Sequence, residues 1–178
     1  MKTLYIDCTN GISGDMLLKA LEALAEGAGG KTGHDHHGGS HERHGRAYSE
    51  VQNIIKKAND IALSIYEVVA KAEAAVHGKT IETVHFHEVG RYQAIRNAMC
   101  IGMAVAEIDP AEIIVSPIND GSGFVDCAHG RIPVPVPAVK AMMDECGRTY
   151  PNFSFRTCED VDTEMVTPSG LAGLIGIG

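Results

Sequence analysis

Between residues 48 and 76, apolar residues recur on three seven-residue tracks: Val51, Ala58, Ile65 and Ala72; Ile54, Ile61, Val68 and Ala75; Ile55, Ala62, Val69 and Val76. Three tracks per heptad make a broad apolar face, wider than the two-track seam of a coiled coil. The pattern therefore predicts one long amphipathic helix packed on its own domain. Neither Gly nor Pro interrupts it and Gly78 stops it, which gives about 29 residues and roughly 43 Å. Upstream, residues 2–7 read as a short strand. The turn Cys8-Thr9-Asn10-Gly11-Ile12-Ser13-Gly14-Asp15 feeds a helix over about 15–25, with Ser13 as N-cap and Asp15 in the first turn, where a carboxylate suits the dipole. Residues 27–46 are Gly, His and small polar residues with no apolar face, and are expected to form a mobile loop. Downstream, residues 92–108 form a helix with Ala94, Ile95, Ala98, Met99, Gly102 and Val105 inward, ending before Asp109-Pro110. Residues 112–116 are a strand, 119–123 a turn and 124–128 a further strand. Pro133-Val134-Pro135-Val136-Pro137 leads into a helix over 138–146. The tail has Thr167 as N-cap, Pro168 at the first helical position and an apolar run from Leu171. Strands alternating with helices predict an α/β single domain over 1–178: a small mixed or parallel sheet flanked by helices, one long amphipathic helix and the loop.

Composition narrows the functional classes. The 178 residues carry 15 Lys+Arg against 23 Asp+Glu, a formal charge of −8, so a nucleic-acid backbone is a poor partner. The N-terminal apolar run reaches Asp7 too early for a signal peptide, and no apolar stretch approaches the roughly 20 residues that span a bilayer. The expectation is a soluble, cytoplasmic protein that binds neither membrane nor nucleic acid. Five cysteines, odd in number and without a CxxC pair, fit reduced thiols better than a disulfide framework. Residues 169–178 are apolar and Gly-rich, which suggests part of a larger machine with a further domain or partner subunit. Histidine is the outlier: five of nine lie between His34 and His44.

Those five, His34, His36, His37, His41 and His44, form either a flexible arm for metal capture or a solvated linker. His85 and His87, two apart, share one face of an extended backbone, and Glu88 follows. Cys127 and His129 repeat the spacing. Imidazole with carboxylate suits nickel, zinc or iron, whereas hydrogen-bonded structural histidines are the alternative. The two pairs could meet Asp7 and Asp15 at the C-terminal edge of a sheet, where α/β ligand sites lie. Asn10-Gly11-Ile12-Ser13-Gly14-Asp15 sits between strand and helix, where backbone amides cradle phosphate; a tight capped turn is the alternative. It is neither GxGxxG nor a Walker A loop.

Six strings in order carry a resemblance: DCTNGISGDM from Asp7, AEAAVHG from Ala72, VHFHEVG from Val84, Ser116-Pro117 through Val125, Cys127-Ala128-His129-Gly130 with Pro133-Val134-Pro135, and EMVTPSG from Glu164. Over nearly its whole length the chain resembles the N-terminal region of LarC-type nickel insertion proteins. The resemblance implies a nickel chelatase (cyclometallase, lyase class). Such an enzyme inserts Ni²⁺ into pyridinium-3,5-bisthiocarboxylate mononucleotide, forming nickel–sulfur and nickel–carbon bonds of the nickel-pincer nucleotide cofactor of lactate racemase. It further implies CTP and Mn²⁺ or Mg²⁺, used through a C-terminal domain that lies outside this chain, and a possible homo-oligomer. Asp7, Asp15 and Glu88 would act in catalysis, Ser13 and Gly14 would offer amides to the mononucleotide phosphate, and His85, His87 and His129 would take metal. The chain departs from the family pattern in two places. Gln93 and Asn97 stand where the family carries carboxylates, and the connection over 25–34 is short. Non-enzymatic metal delivery and a degenerate scaffold paralogue are the other functional classes this reading leaves.

Overall fold

The structure, a computed structural model, describes residues 2–28, 46–87, 89–127, 130–149 and 153–178. Among them the order is β1 (Thr3–Ile6), α1 (Gly14–Ala28), α2 (Tyr48–His77), α3 (Tyr92–Ile108), β2 (Glu112–Val115), β3 (Ile118–Asp120), β4 (Phe124–Cys127), β5 (Gly130–Pro133), α4 (Pro137–Thr149), β6 (Phe155–Thr157) and α5 (Pro168–Ile177). The expected α/β mixture of parallel and antiparallel pairing is present, distributed over three two-stranded sheets. In these, β1 pairs in parallel with β2, β3 in parallel with β6, and β4 antiparallel with β5.

The long helix is 30 residues and ends at Gly78, whose left-handed φ of 60° lets its N–H turn back to the last carbonyls. Its buried face comprises Ala58, Ala62, Ile65, Val69, Ala70, Ala72 and Ala74, whereas Val51, Ile55 and Val76 of the heptad tracks are exposed. α2 and α3 run antiparallel. Arg46 and Lys57 pair with Glu107 and Asp109 at one end, and Tyr66 Oη donates to the Val89 carbonyl at the other.

Two expectations are corrected. Ile95 and Met99, read as inward on the helix over 92–108, are exposed, and Ile101, Ala104 and Ile108 are buried instead. Residues 119 and 120, read as part of a turn, belong to β3, which pairs Ile118, Asn119 and Asp120 with Phe155, Arg156 and Thr157. Asn-Asp-Gly is a strong turn signal in isolation. Here Asp120 is fully buried instead, and its Oδ1 accepts N–H bonds from Gly121, Met165 and Val166 at 2.8–3.1 Å, so a strand end satisfies the same carboxylate that a turn would have used.

The apolar tail is the molecule's central helix. Residues 170–177 of α5 are all buried, packed among α1, α2, α3 and α4. A Cβ at Gly176 would stand 2.6–2.7 Å from the backbone and Cγ1 of Ile65, so the absence of a side chain is what lets α5 lie against α2.

Candidate functional site

Two strand-to-helix connections run side by side. The Ile12 N–H donates to Met165 O at 2.8 Å and the Thr167 N–H donates to Ile12 O at 3.0 Å, which makes an isolated parallel bridge between Ile12 and Val166. Gly11 permits this with φ of 75°; any Cβ there would strike Met165. Each connection then starts a helix. Ser13 Oγ accepts the Met16 N–H at 3.2 Å and Thr167 Oγ1 accepts the Gly170 N–H at 3.2 Å, the N-caps the sequence predicts.

The N-termini of α1 and α5 therefore open onto one cleft of about 310 Å³, lined by Ser13, Gly14, Asp15, Tyr66, Val89, Arg91, Gln93, Asn97, Thr167 and Ser169 and floored by Ile65, Val69 and Ile101. Among the described residues its lining carries one guanidinium, Arg91, and one carboxylate, Asp15. Asn97 Nδ2 donates to Asp15 Oδ1 at 2.6 Å, and Gln93 Nε2 donates to Asn97 Oδ1 at 3.0 Å. These amides orient Asp15 without adding charge. Tyr66, whose hydroxyl holds the Val89 carbonyl at 2.7 Å, has its pKa raised by burial and remains a donor.

A second cleft of about 290 Å³ lies beyond Val89, which lines both. Its walls include Glu73 and His77 from the last turns of α2, His87, Asp126 and Cys127 from β4, Glu164, and Pro168 of α5. His77 Nε2 lies 3.3 Å from Glu73 Oε2, one turn away on α2, and the His77 and His87 rings meet edge to face with centroids 6.4 Å apart.

The candidate residues distribute unevenly over this geometry. Ser13, Gly14 and Asp15 line the first cleft and His87 the second, whereas Asp7 and His85 line neither. Asp7 caps its own turn, accepting the Thr9 N–H at 2.9 Å and the Ser116 hydroxyl at 3.4 Å; the Thr9 bonds chiefly, then Ser116, hold its pKa below the usual carboxylate value. His85 is exposed on backbone that belongs to no strand, and it is His87 that reaches the second cleft. Glu88, His129 and the loop histidines His34, His36, His37, His41 and His44 lie outside the described residues. Among the described residues, no three His, Cys, Asp or Glu side chains already stand close enough together to hold a metal ion. Sequence reasoning passed over His77, Glu73, Tyr66 and Glu164. The signal for the first two was present: Glu73 and His77 are four apart on a predicted helix, which places them on one face.

A comparison with family profiles matches residues 28–176 to the family described as Nickel insertion protein. The chain belongs to that family. Among curated nickel insertion proteins, those named pyridinium-3,5-bisthiocarboxylic acid mononucleotide nickel insertion protein include relatives from Acetivibrio thermocellus, 34% identical over 96% of this chain and 50% of the relative, and from Lactiplantibacillus plantarum, 34% identical over 98% and 52%. The relative from Desulfitobacterium hafniense (strain DSM 10664 / DCB-2) is 33% identical over 97% and 48%. The chain thus spans about half the length of the nickel insertion proteins it matches. No solved structure matches it. Among the described residues no helix is long and apolar enough to cross a membrane.

Proposed function

We propose that this chain holds the mononucleotide during nickel insertion into pyridinium-3,5-bisthiocarboxylate mononucleotide, the cytoplasmic step that yields the nickel-pincer cofactor of lactate racemase. The observation that carries this reading is the convergence of two capped helix N-termini and Arg91 on one cleft, in a member of the nickel insertion family. In each helix the cap side chain takes the N3 amide, which leaves the preceding first-turn amides of Gly14, Asp15 and Ser169 nearest to an entering phosphate. Two helix dipoles and a guanidinium then act on the same anion. The apolar floor of Ile65, Val69 and Ile101 suits the face of a pyridinium ring.

The chemistry asks for a base. The two thiocarboxylates at ring positions 3 and 5 direct a bound nickel ion at the carbon between them, and a nickel–carbon bond there displaces that carbon's proton. Asp15, held by Asn97, is the carboxylate in the cleft that can receive it; Gln93 and Asn97 orient but cannot act as bases. Glu88 and Asp7 are the further carboxylates that the resemblance brings in, and His85, His87 and His129 the further nickel donors, with the loop histidines His34, His36, His37, His41 and His44 gathering the ion. CTP and Mn²⁺ or Mg²⁺ belong, by the resemblance, to the other half of the relatives; the chain has no GxGxxG or Walker A loop, and no step above passes through them.

The test is equilibrium binding of nicotinic acid mononucleotide, a commercially accessible pyridinium mononucleotide. Arg91→Ala and Ser13→Ala are expected to weaken it about tenfold each, the scale of one charge-assisted hydrogen bond. Equal affinity for the nucleoside lacking its phosphate would overturn the reading. Insertion is then assayed with nickel, the bisthiocarboxylate and the C-terminal half of a relative, where Asp15→Asn is expected to abolish turnover while sparing binding.

A further inference from the structure

The second cleft has a chemistry opposite to the first. Its lining carries three carboxylates, Glu73, Asp126 and Glu164, two imidazoles, His77 and His87, and the Cys127 thiol, with no lysine or arginine among the described residues. We infer that this cleft receives the divalent metal ion, through His77, His87 and Cys127 with Glu73 in support, and presents it to the nucleotide cleft across Val89.

Three features support the assignment. The first is donor type: imidazole, thiolate and carboxylate together suit nickel and its neighbours rather than magnesium or calcium, which prefer oxygen alone. The second is spacing. Metal–nitrogen bonds of about 2.1 Å place the centroids of two imidazoles sharing one ion at most about 6.4 Å apart. That limit needs the two nitrogens in a straight line through the ion, and a tetrahedral pair brings the centroids to about 5.3 Å, so from the observed 6.4 Å, edge to face, the rings have to approach by about 1 Å to share one. Glu73, on the same helix face as His77 with its oxygen 3.3 Å from Nε2, is placed to orient that ring or to add a ligand. The third is placement. Val89 lines both clefts and is pinned by the Tyr66 hydroxyl, and α5 starts between them, Pro168 facing one and Thr167 and Ser169 the other.

Among the described residues no three donors are already grouped to hold an ion, so on this proposal the donors have to close on the metal when it enters. A cargo ion has to leave for the sulfurs of the nucleotide, and a closed tetrahedral shell holds its metal too firmly to release it. Two imidazoles that close on the ion, with a thiolate across the cleft, bind reversibly. That the cargo is nickel and its destination the nucleotide rests on the proposed function; the site itself rests on the donors and their spacing.

The experiment uses the full chain with His34, His36, His37, His41 and His44 replaced by Ala, so that the loop contributes no ligand. Ni²⁺ binding is measured by calorimetry, and Co²⁺ is added separately as a spectroscopic probe of sulfur ligation. One equivalent of Ni²⁺ is expected, weakened at least tenfold by His77→Ala or His87→Ala, with a sulfur-to-cobalt charge-transfer band that Cys127→Ser removes. His77→Gln, which keeps a polar side chain of similar reach, and unchanged nicotinic acid mononucleotide affinity in every variant show that loss of metal is not loss of fold. Unchanged Ni²⁺ affinity in the His77→Ala/His87→Ala double variant overturns the inference, as does a charge-transfer band that survives Cys127→Ser. Metal binding without mononucleotide binding defeats the proposed function and leaves this site standing; mononucleotide binding without metal binding does the reverse.

Discussion

Cys8 and Cys146 show how single groups tie this fold to pH. Burial, reinforced by Asp7 at the one and Glu145 at the other, raises each thiol from the ordinary 9.0 to about 11. The folded chain thus keeps two protons that the unfolded chain releases above pH 9. Their contribution is complete below that pH and is lost as pH rises toward 11. Urea unfolding is expected to show stability falling between pH 9 and 11, and Cys8→Ala/Cys146→Ala is expected to flatten that limb. Asp7 works in the opposite sense: its lowered pKa makes its contribution present above the usual carboxylate range and lost in acid. Asp120 has a larger structural reach. One oxygen takes the N–H groups of Gly121, Met165 and Val166, and Met165 and Val166 lead directly into the cap of α5. Asp120→Ala leaves those amides without their acceptor in a buried place and is expected to cost about 3 kcal/mol or more by urea unfolding. Asp120→Asn retains an oxygen in the accepting position and is expected to cost less than half as much. None of this was visible from the string Asn119-Asp120-Gly121, because local residue preference speaks for a turn and only the arrival of residues 165 and 166 supplies the three donors.

At the scale of elements, the best-read pieces were the helices whose apolar spacing is long and regular. α2 and α3 were placed to within a residue or so, since more than four turns of periodicity average out local exceptions and Gly78 and Asp109-Pro110 mark the ends. β5 and β6 escaped notice: four and three residues are too few to show alternation, and each is defined by its partner rather than by itself. α5 was seen as an apolar helix, but its centrality was not. A uniformly apolar helix has no outward face from which a packing direction can be read. Its small residues are what the surroundings require. Gly176→Ala places a methyl where the Ile65 backbone stands and is expected to destabilise by about 1–3 kcal/mol, the usual range for overpacking, despite Ala's better helix propensity. A measured gain in melting temperature would show that α2 and α5 separate freely, contrary to the close approach described.

At the scale of the whole molecule, the −8 charge resolves into two different local settings. The first cleft combines one guanidinium, one oriented carboxylate and two helix N-termini; the second combines three carboxylates with imidazoles and a thiol. Val89, fixed by Tyr66, lines both clefts, and on the proposed function and the further inference it stands between the anion of the first and the cation of the second. Such an arrangement suits a reaction that joins a metal to a phosphorylated organic molecule. His77 and His87 lie on either side of the turn that follows α2, and their rings meet only because the chain reverses at Gly78.

The linear chain by itself determined whatever depends on neighbours within a few residues: the helices with their caps at Ser13 and Thr167, the stop at Gly78, and the ordered motifs that mark the nickel insertion family. Folding in three dimensions decided the pairings across long separations. It set Ile12 beside Val166, Asn97 on Asp15, and Asp120 under residues 165 and 166. Hydrogen bonds and ring contacts between residues up to about 150 positions apart leave no periodic trace in a sequence, because periodicity records which face of an element is buried and not what arrives to bury it.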